Sequence, residues 1–196
     1  MKNRINDIVS TSFQDSIALK TEILNSSLLL QIAGAGEAII ECLESRGKII
    51  FAGNGGSFAD SQHLAAEFIS RFLFDRSALP AIALGTNSSN MSAIGNDYGY
   101  ENVFARELDA LGSKGDIFIP ITTSGNSPNL IEAVKIASDR KLKTIALTGE
   151  TGGALGSMCE CLKIPSSNVP RVQESHILIG HILCQIAEEG IFKPST

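Results

Sequence analysis

The 196-residue chain contains three histidines, and two of them stand where chemistry can be done. His63 precedes Glu67 by four residues in "QHLAAEF". On a helix that spacing puts the imidazole and the carboxylate on one face. Such a pair can bind a metal ion or couple an acid to a base, although an isolated His-x-x-x-Glu is also an ordinary hydrogen-bonded surface pair. The other two histidines, His176 and His181, lie in "RVQESHILIGHILCQ". His181 is embedded in an apolar run and needs a polar partner, which Glu67 or a metal would provide. His176 lies five residues earlier, a poorer match to that face. Gln173 lies eight residues before His181, about 12 Å along a helix axis. Holding one ion with both would stretch them, unless Gln173 sits at a frayed helix start or a neighbouring subunit supplies a ligand. The spacing therefore predicts a site shared between subunits.

Two loops have the composition of ligand cradles. In "GNGGS", Gly53–Ser57, the glycines let the backbone approach a ligand, and Ser57 reads as the N-cap of a following helix. The Asn54, Gly55 and Gly56 backbone would face that ligand. In "TTSGNSPN", Thr122, Thr123, Ser124 and Ser127 supply four hydroxyls and Pro128 opens a helix. Hydroxyls and N–H groups at the positive end of a helix suit a phosphate. Both loops also allow plain turn and capping chemistry. Neither GxxxxGK[ST] nor GxGxxG occurs, which argues against a P-loop and a dinucleotide site. A third stretch, "AIGNDYGYENVF", reads as a turn at Asn96 and Asp97 before Gly99, or as a polar clamp for a sugar.

The elements that must position these residues alternate. Helical spacing of Leu28, Leu29, Ile32, Ile39, Ile40 and Leu43 makes two helices of residues 4–45, with Gly47 as C-cap. Apolar runs at 48–53, 80–84, 116–122 and 142–147 and a short one at 159–165 read as strands. Helices are expected from Ser57 to Phe72, Pro128 to Asp139, around Ala154, and Val172 to Glu189. Strands apolar throughout, alternating with helices, give an α/β three-layer sandwich around a mainly parallel five-stranded sheet, flavodoxin-like in outline. One domain spanning 1–196 is expected, with residues 1–45 as a two-helix N-terminal extension.

Composition narrows the function. With 43% hydrophobic residues the chain is an ordinary globular protein, and a net charge of −5 without a basic cluster disfavours tight nucleic-acid binding. No run of 18 apolar residues and no signal-peptide core appear, so a cytoplasmic protein without a membrane span is expected. Cys42, Cys159, Cys161 and Cys184 form no zinc-ribbon or CxxC pattern and read as buried free thiols. A metal or redox role for Cys159 and Cys161 is the alternative.

Taken together, "GNGGS", "QHLAAEF", "AIGNDYGY", "TSGNSPN", "LTGETGG" and "QESHILIGH" resemble the SIS (sugar isomerase) family and, within it, the phosphoheptose isomerases, over nearly the whole chain. The resemblance implies a homotetramer with active sites at subunit interfaces that converts sedoheptulose 7-phosphate into D-glycero-D-manno-heptose 7-phosphate. It implies one zinc ion per subunit held by His63, Glu67, Gln173 and His181, with Glu67 as general base and His181 as the second acid/base group. It implies substrate contacts from Asn54, Gly55, Gly56 and Ser57, from Asn96 and Asp97, from Thr122, Thr123, Ser124 and Ser127, and from Gln173. Pro170 stands where some members carry an aspartate, and Thr122 where serine is common. The alternatives are an isomerase of another sugar phosphate and a non-catalytic SIS relative that binds the replication initiator DnaA. That relative lacks counterparts of Glu67 and His181, which this chain keeps.

Overall fold

The computed structural model describes residues 1–193. Two helices, α1 (Lys2–Leu24) and α2 (Leu28–Glu44), lead into β1 (Ile49–Gly53), α3 (Gly56–Ile69) and β2 (Ala81–Ala83). There follow α4 (Ser88–Tyr98), a single 3-10 turn, α5 (Val103–Leu111), β3 (Ile117–Ile121), α6 (Pro128–Asp139) and β4 (Lys143–Thr148). A 3-10 segment at Gly153–Ser157, β5 (Glu160–Lys163) and α7 (Val169–Phe192) complete the order. The five strands are parallel throughout, in the order β2-β1-β3-β4-β5.

The strand alternation assigns the two faces. Ile49 and Phe51 of β1, Ile117, Ile119 and Ile121 of β3, and Ile145 and Leu147 of β4 pack with α2, α3 and α7. Ile50 and Ala52, Phe118 and Ala146 point the other way, into the core under α5 and α6. Both faces are covered, so β1 and β3 are buried at every position, and exposed polar residues are confined to the start of β4 and to the edge strand β5. β1 lies between β2 and β3, so the chain leaves β1 in one direction and β3 in the other. The crevice beyond the carboxyl ends of β1 and β3 is the switch point at which open parallel sheets take ligands.

Several boundaries differ from expectation for identifiable reasons. α2 ends in a Schellman motif whose left-handed residue is Arg46 (φ 64°), not Gly47. The Gly47 N–H closes the motif on the Cys42 carbonyl at 2.8 Å, and the Arg46 N–H bonds the Leu43 carbonyl at 3.1 Å. α3 stops at Ile69, short of Phe72, because the next residues turn to meet α7. α7 itself runs three residues further at each end than expected, with Pro170 in its first turn, where a missing N–H costs nothing. Gln173 is thus well inside the helix rather than at a frayed start. The "AIGNDY" stretch is not a turn: Asn96 and Asp97 lie in the last turn of α4, which Asn87 caps through its side chain. That helix buries none of its residues, so it lacks the apolar stripe by which helices are recognised. Cys159 and Cys161 are half-buried rather than buried, and all four cysteines are free.

α1 is fastened to α7 by polar groups. The Arg171 guanidinium donates to the Ser12 carbonyl, and Ser16 donates to the Glu174 carboxylate at 2.9 Å. Ile5, Ile8, Val9, Phe13 and Ile17 of α1 are exposed. Among the described residues, no single helix is long and apolar enough to cross a membrane.

Candidate functional site

The α3–α7 seam builds the first half of the site. The two helices run side by side in the same direction, and small residues set their spacing. A Cβ placed on Gly180 would come within 2.6 Å of the Leu64 side chain, so only glycine admits this approach. The neighbours of that contact, His63 and His181, consequently face each other across the seam. Their Nε2 atoms are 2.9 Å apart and the rings meet edge to face with centres 5.1 Å apart. Glu67 joins from the next turn of α3, with Oε1 3.5 Å from His63 Nε2. The ring of Phe72 backs His181, with centres 5.4 Å apart. The His63 side chain is 49% exposed and that of Glu67 23%, so the cluster opens to solvent. Two turns toward the start of α7, Gln173 lies over the first turn of α3: a Cβ on Gly56 would sit 2.9 Å from its Nε2.

Two imidazole nitrogens that face each other at this distance cannot both present lone pairs. Either one carries a proton, or a cation lies between them. Two nitrogen donors and a carboxylate suit zinc, whose bonds to nitrogen of about 2.0–2.1 Å place two tetrahedral ligands roughly 3.3 Å apart. The rings need to part by only a few tenths of an ångström. Among the described residues no group of three or more His, Cys, Asp or Glu side chains is already spaced as a finished metal cage. The donor types fit the ion, and Gln173 would reach it from a different turn of the seam.

Loops build the second half. After β1, Asn54 exchanges two amide hydrogen bonds with Asn129 at the start of α6, at 2.9 and 2.8 Å, and accepts a third from the Tyr100 hydroxyl at 3.3 Å. This joins the "GNGGS" loop to the hydroxyl loop across the switch point. Asn54, Tyr100, Glu101, Ser127, Pro128 and Asn129 enclose a cavity of about 260 Å³. In the hydroxyl loop, Thr122 Oγ1 accepts from the Gly125 N–H at 3.2 Å and lies 3.4 Å from Ser127 Oγ. Ser124 Oγ accepts from the Asn126 N–H at 3.1 Å. Gly125 has φ 66°, and any Cβ there would strike the Gly152 carbonyl. The loop is therefore locked against the 149–155 turn, with Thr123 accepting from the Gly149 N–H at 3.1 Å and Asn126 from the Ala154 N–H at 2.9 Å.

The remaining expected residues fall differently. Ser57 is not a cap: Gly55 occupies that position, and Ser57 is buried as the second residue of α3, its carbonyl accepting from Ser61. Asn96 and Asp97 hydrogen-bond to each other at 2.7 Å on exposed α4, bordering a separate polar concavity of about 550 Å³ with Ser88, Ser89 and Ser92. His176 belongs to neither half. It is fully buried, with Nε2 3.2 Å from the Thr148 carbonyl and Nδ1 without a hydrogen-bond partner among the described residues. Burial pushes its pKa down to about 4, so it is a neutral core residue. Three residues were missed by sequence reasoning. Asn129 and Tyr100 hold Asn54, and both stand in stretches already marked as polar loops. Asp60 lies one turn before His63 on α3; burial raises its pKa while His63 and His181 pull it down, which places it in the field of both imidazoles.

Residues 12–149 match the SIS domain family. The chain belongs to this family. A phosphoheptose isomerase from Aneurinibacillus thermoaerophilus is 49% identical over 191 residues, 96% of each chain. Phosphoheptose isomerase 2 of Campylobacter jejuni is 48% identical, covering 96% of this chain and 94% of its own. The solved structure of a phosphoheptose isomerase from Francisella tularensis superposes with a TM-score of 0.90 at 42% identity, covering 93% of this chain and 97% of that one. In this SIS chain, the seam and the loops around Asn54 are the features that a sugar-phosphate chemistry would use.

Proposed function

We propose that the chain is an aldose–ketose isomerase that converts sedoheptulose 7-phosphate into D-glycero-D-manno-heptose 7-phosphate. The reaction is the first step toward nucleotide-activated heptose for lipopolysaccharide or capsule, and takes place in the cytoplasm. The observation that carries this reading is the meeting of His63, Glu67 and His181 on one seam, in a chain close to half identical end to end to phosphoheptose isomerases. Isomerisation needs a base that removes a proton from C1 and returns it at C2, and a group that moves a proton between O1 and O2. Glu67 does the first. Its carboxylate has a second oxygen free to take a proton while Oε1 faces His63. His181 does the second, since an imidazole gives and takes protons near neutrality. Zinc, one ion per subunit, held by His63, Glu67, Gln173 and His181, supplies Lewis-acid polarisation of the carbonyl when bound. Thr122, Thr123, Ser124 and Ser127, with the N–H groups at the start of α6, hold the phosphate. Asn54, Gly55, Gly56 and Ser57 line the path between, so binding energy at the far end positions the reacting end.

The reading extends to assembly. The apolar row on α1 is the face on which copies of the chain would pack into a homotetramer. Asn96 and Asp97, exposed on α4 and bonded to each other, would then complete a neighbouring subunit's sugar site. Phe13→Glu is expected to shift the particle to smaller species in sedimentation. The functional reading is tested by turnover of sedoheptulose 7-phosphate before chelation, after chelation and after zinc re-addition. Loss and recovery are expected. Turnover indifferent to chelation would remove the metal and leave Glu67 and His181 as acid and base, and no turnover at all would refute the reading.

A further inference from the structure

At the far end of the α3–α7 seam lies a buried ion pair that the reaction itself does not use. The Arg76 side chain is 3% exposed and that of Glu188 0%, with Nε to Oε1 at 3.0 Å. Glu188 Oε1 also accepts from the Phe72 N–H at 2.9 Å, and Oε2 from the Leu73 N–H at 2.7 Å. The guanidinium donates in turn to the carbonyls that end α3: Nη2 to Glu67 at 2.8 Å and Nη1 to Phe68 at 2.6 Å. Burial works to raise the Glu188 pKa, but the two N–H groups and Arg76 outweigh it, and the carboxylate is held charged.

The connections of this pair are specific. Glu188 stands seven residues after His181, two turns along the same face of α7, about 10 Å away. What it grips is the segment that follows Glu67. One arm of the clamp, Arg76, fixes the backbone of Glu67. The other, the Phe72 N–H, fixes the residue whose ring rests on His181. We propose that Arg76 and Glu188 are positioning residues for the proton-transfer pair: they lock the end of α3 to α7 and so set the distance between Glu67, Phe72 and His181. This rests on the assignment of Glu67 and His181 as the acid–base groups. Helix termini leave carbonyls unsatisfied, and any buried cation could satisfy them. Only a pair anchored on the helix that carries His181 ties that termination to the imidazole. The hydroxyl loop, built on β3 and α6, makes none of these contacts, so the clamp acts on turnover and not on phosphate binding.

The experiment uses the full-length protein and the variants Glu188→Gln, Arg76→Lys and Phe72→Leu, with Glu67→Gln in parallel. Phe72→Leu leaves the ion pair intact and removes only the ring, so it keeps the test open where a charge variant fails to fold. Two readouts are taken: kcat and KM for sedoheptulose 7-phosphate, and the imidazole NMR signals of His181 in the metal-free protein. Misplacement of the proton-transfer pair is expected to lower kcat by about 10- to 100-fold. KM should stay within twofold, and the His181 signals should move in Glu188→Gln and Arg76→Lys, in which the Phe72 ring is kept; for Phe72→Leu the readout is kcat. Folded variants with reduced thermal stability but unchanged kcat and unchanged His181 signals would show the pair to be structural only and overturn the proposal. A fall in kcat with His181 signals unmoved would overturn it as well. Glu67→Gln separates the two levels: retained turnover there overturns the acid–base assignment itself, whereas loss there with normal turnover in the clamp variants overturns only the clamp.

Discussion

The α3–α7 seam and the loops at the ends of β1 and β3 hold their residues by different means. On the seam, side-chain packing does the work: Gly180 admits Leu64, and the histidines one residue along each helix are brought face to face. Around Asn54 and the hydroxyl loop, hydrogen bonds between amides, hydroxyls and turn backbone do it. Packing is stiff and fixes a distance, which proton transfer requires. Hydrogen-bonded turns present many weak donors over a wider area, which suits a phosphate and a hydroxylated chain. The two halves should therefore fail differently, one in kcat and one in KM.

The largest separation is expected from Glu67→Gln, which keeps the size of the side chain and removes the base. Removing such a group costs about 10²–10⁴-fold in kcat, with KM little changed. Steady-state kinetics on the purified variant decide it, and near-normal kcat would end the base assignment. Gly180→Ala comes next. The added methyl must displace the buried Leu64 side chain, which for overpacking costs about 1–3 kcal/mol of stability and is expected to widen the gap between the histidines. Denaturant unfolding together with kcat should show both losses; an unchanged kcat would mean that the seam's spacing is not tuned for the reaction. On the loop side, Asn129→Ala removes both amide bonds to Asn54. At about 1 kcal/mol each, their loss lowers stability by about 2 kcal/mol, and with Asn54 released KM should rise while kcat holds. A fall in kcat without a change in KM would dissolve the division between the halves.

The smallest effect on turnover is expected at His176, the histidine outside both halves, whose role is in stability below neutral pH. Its folded-state pKa of about 4 lies below the ordinary value of 6.5. Above pH 6.5 it is neutral folded and unfolded, so its contribution is fully present. As pH falls from 6.5 toward 4, the unfolded chain takes up a proton that the folded one refuses, and stability declines by something on the order of 3 kcal/mol. Unfolding midpoints between pH 7 and 4 should fall less steeply in His176→Gln than in the parent. Equal slopes would place the acid sensitivity elsewhere.

Much of this was legible in the sequence. The strands announced themselves because they are apolar on both faces, and α6 matched its expected bounds because Pro128 marks its start. His63 and Glu67 were legible as a pair because helical spacing alone puts them together. That His181 rather than His176 would join them was also read from spacing, and the structure supplies the reason in the packing of α7 on α3. His181 follows Gly180 at the close approach, whereas His176 turns toward Thr148. α4 was hidden, since it fully buries no residue and rests on the core only through Met91 and Ile94. Ser57 looked like a cap because capping statistics favour serine, but Gly55 takes that position. Arg76 carries no local signal, and Asn129 only that of its polar loop; their roles arise from partners 112 and 75 residues away.

The central claim is that Glu67, on the seam, moves the carbon-bound proton. It is tested most directly by running sedoheptulose 7-phosphate turnover in heavy water and following deuterium at C1 and C2 by NMR, for the parent and for Glu67→Gln. The account predicts deuterium incorporation with turnover in the parent, and neither in the variant. Incorporation by Glu67→Gln at the parent's rate would contradict it.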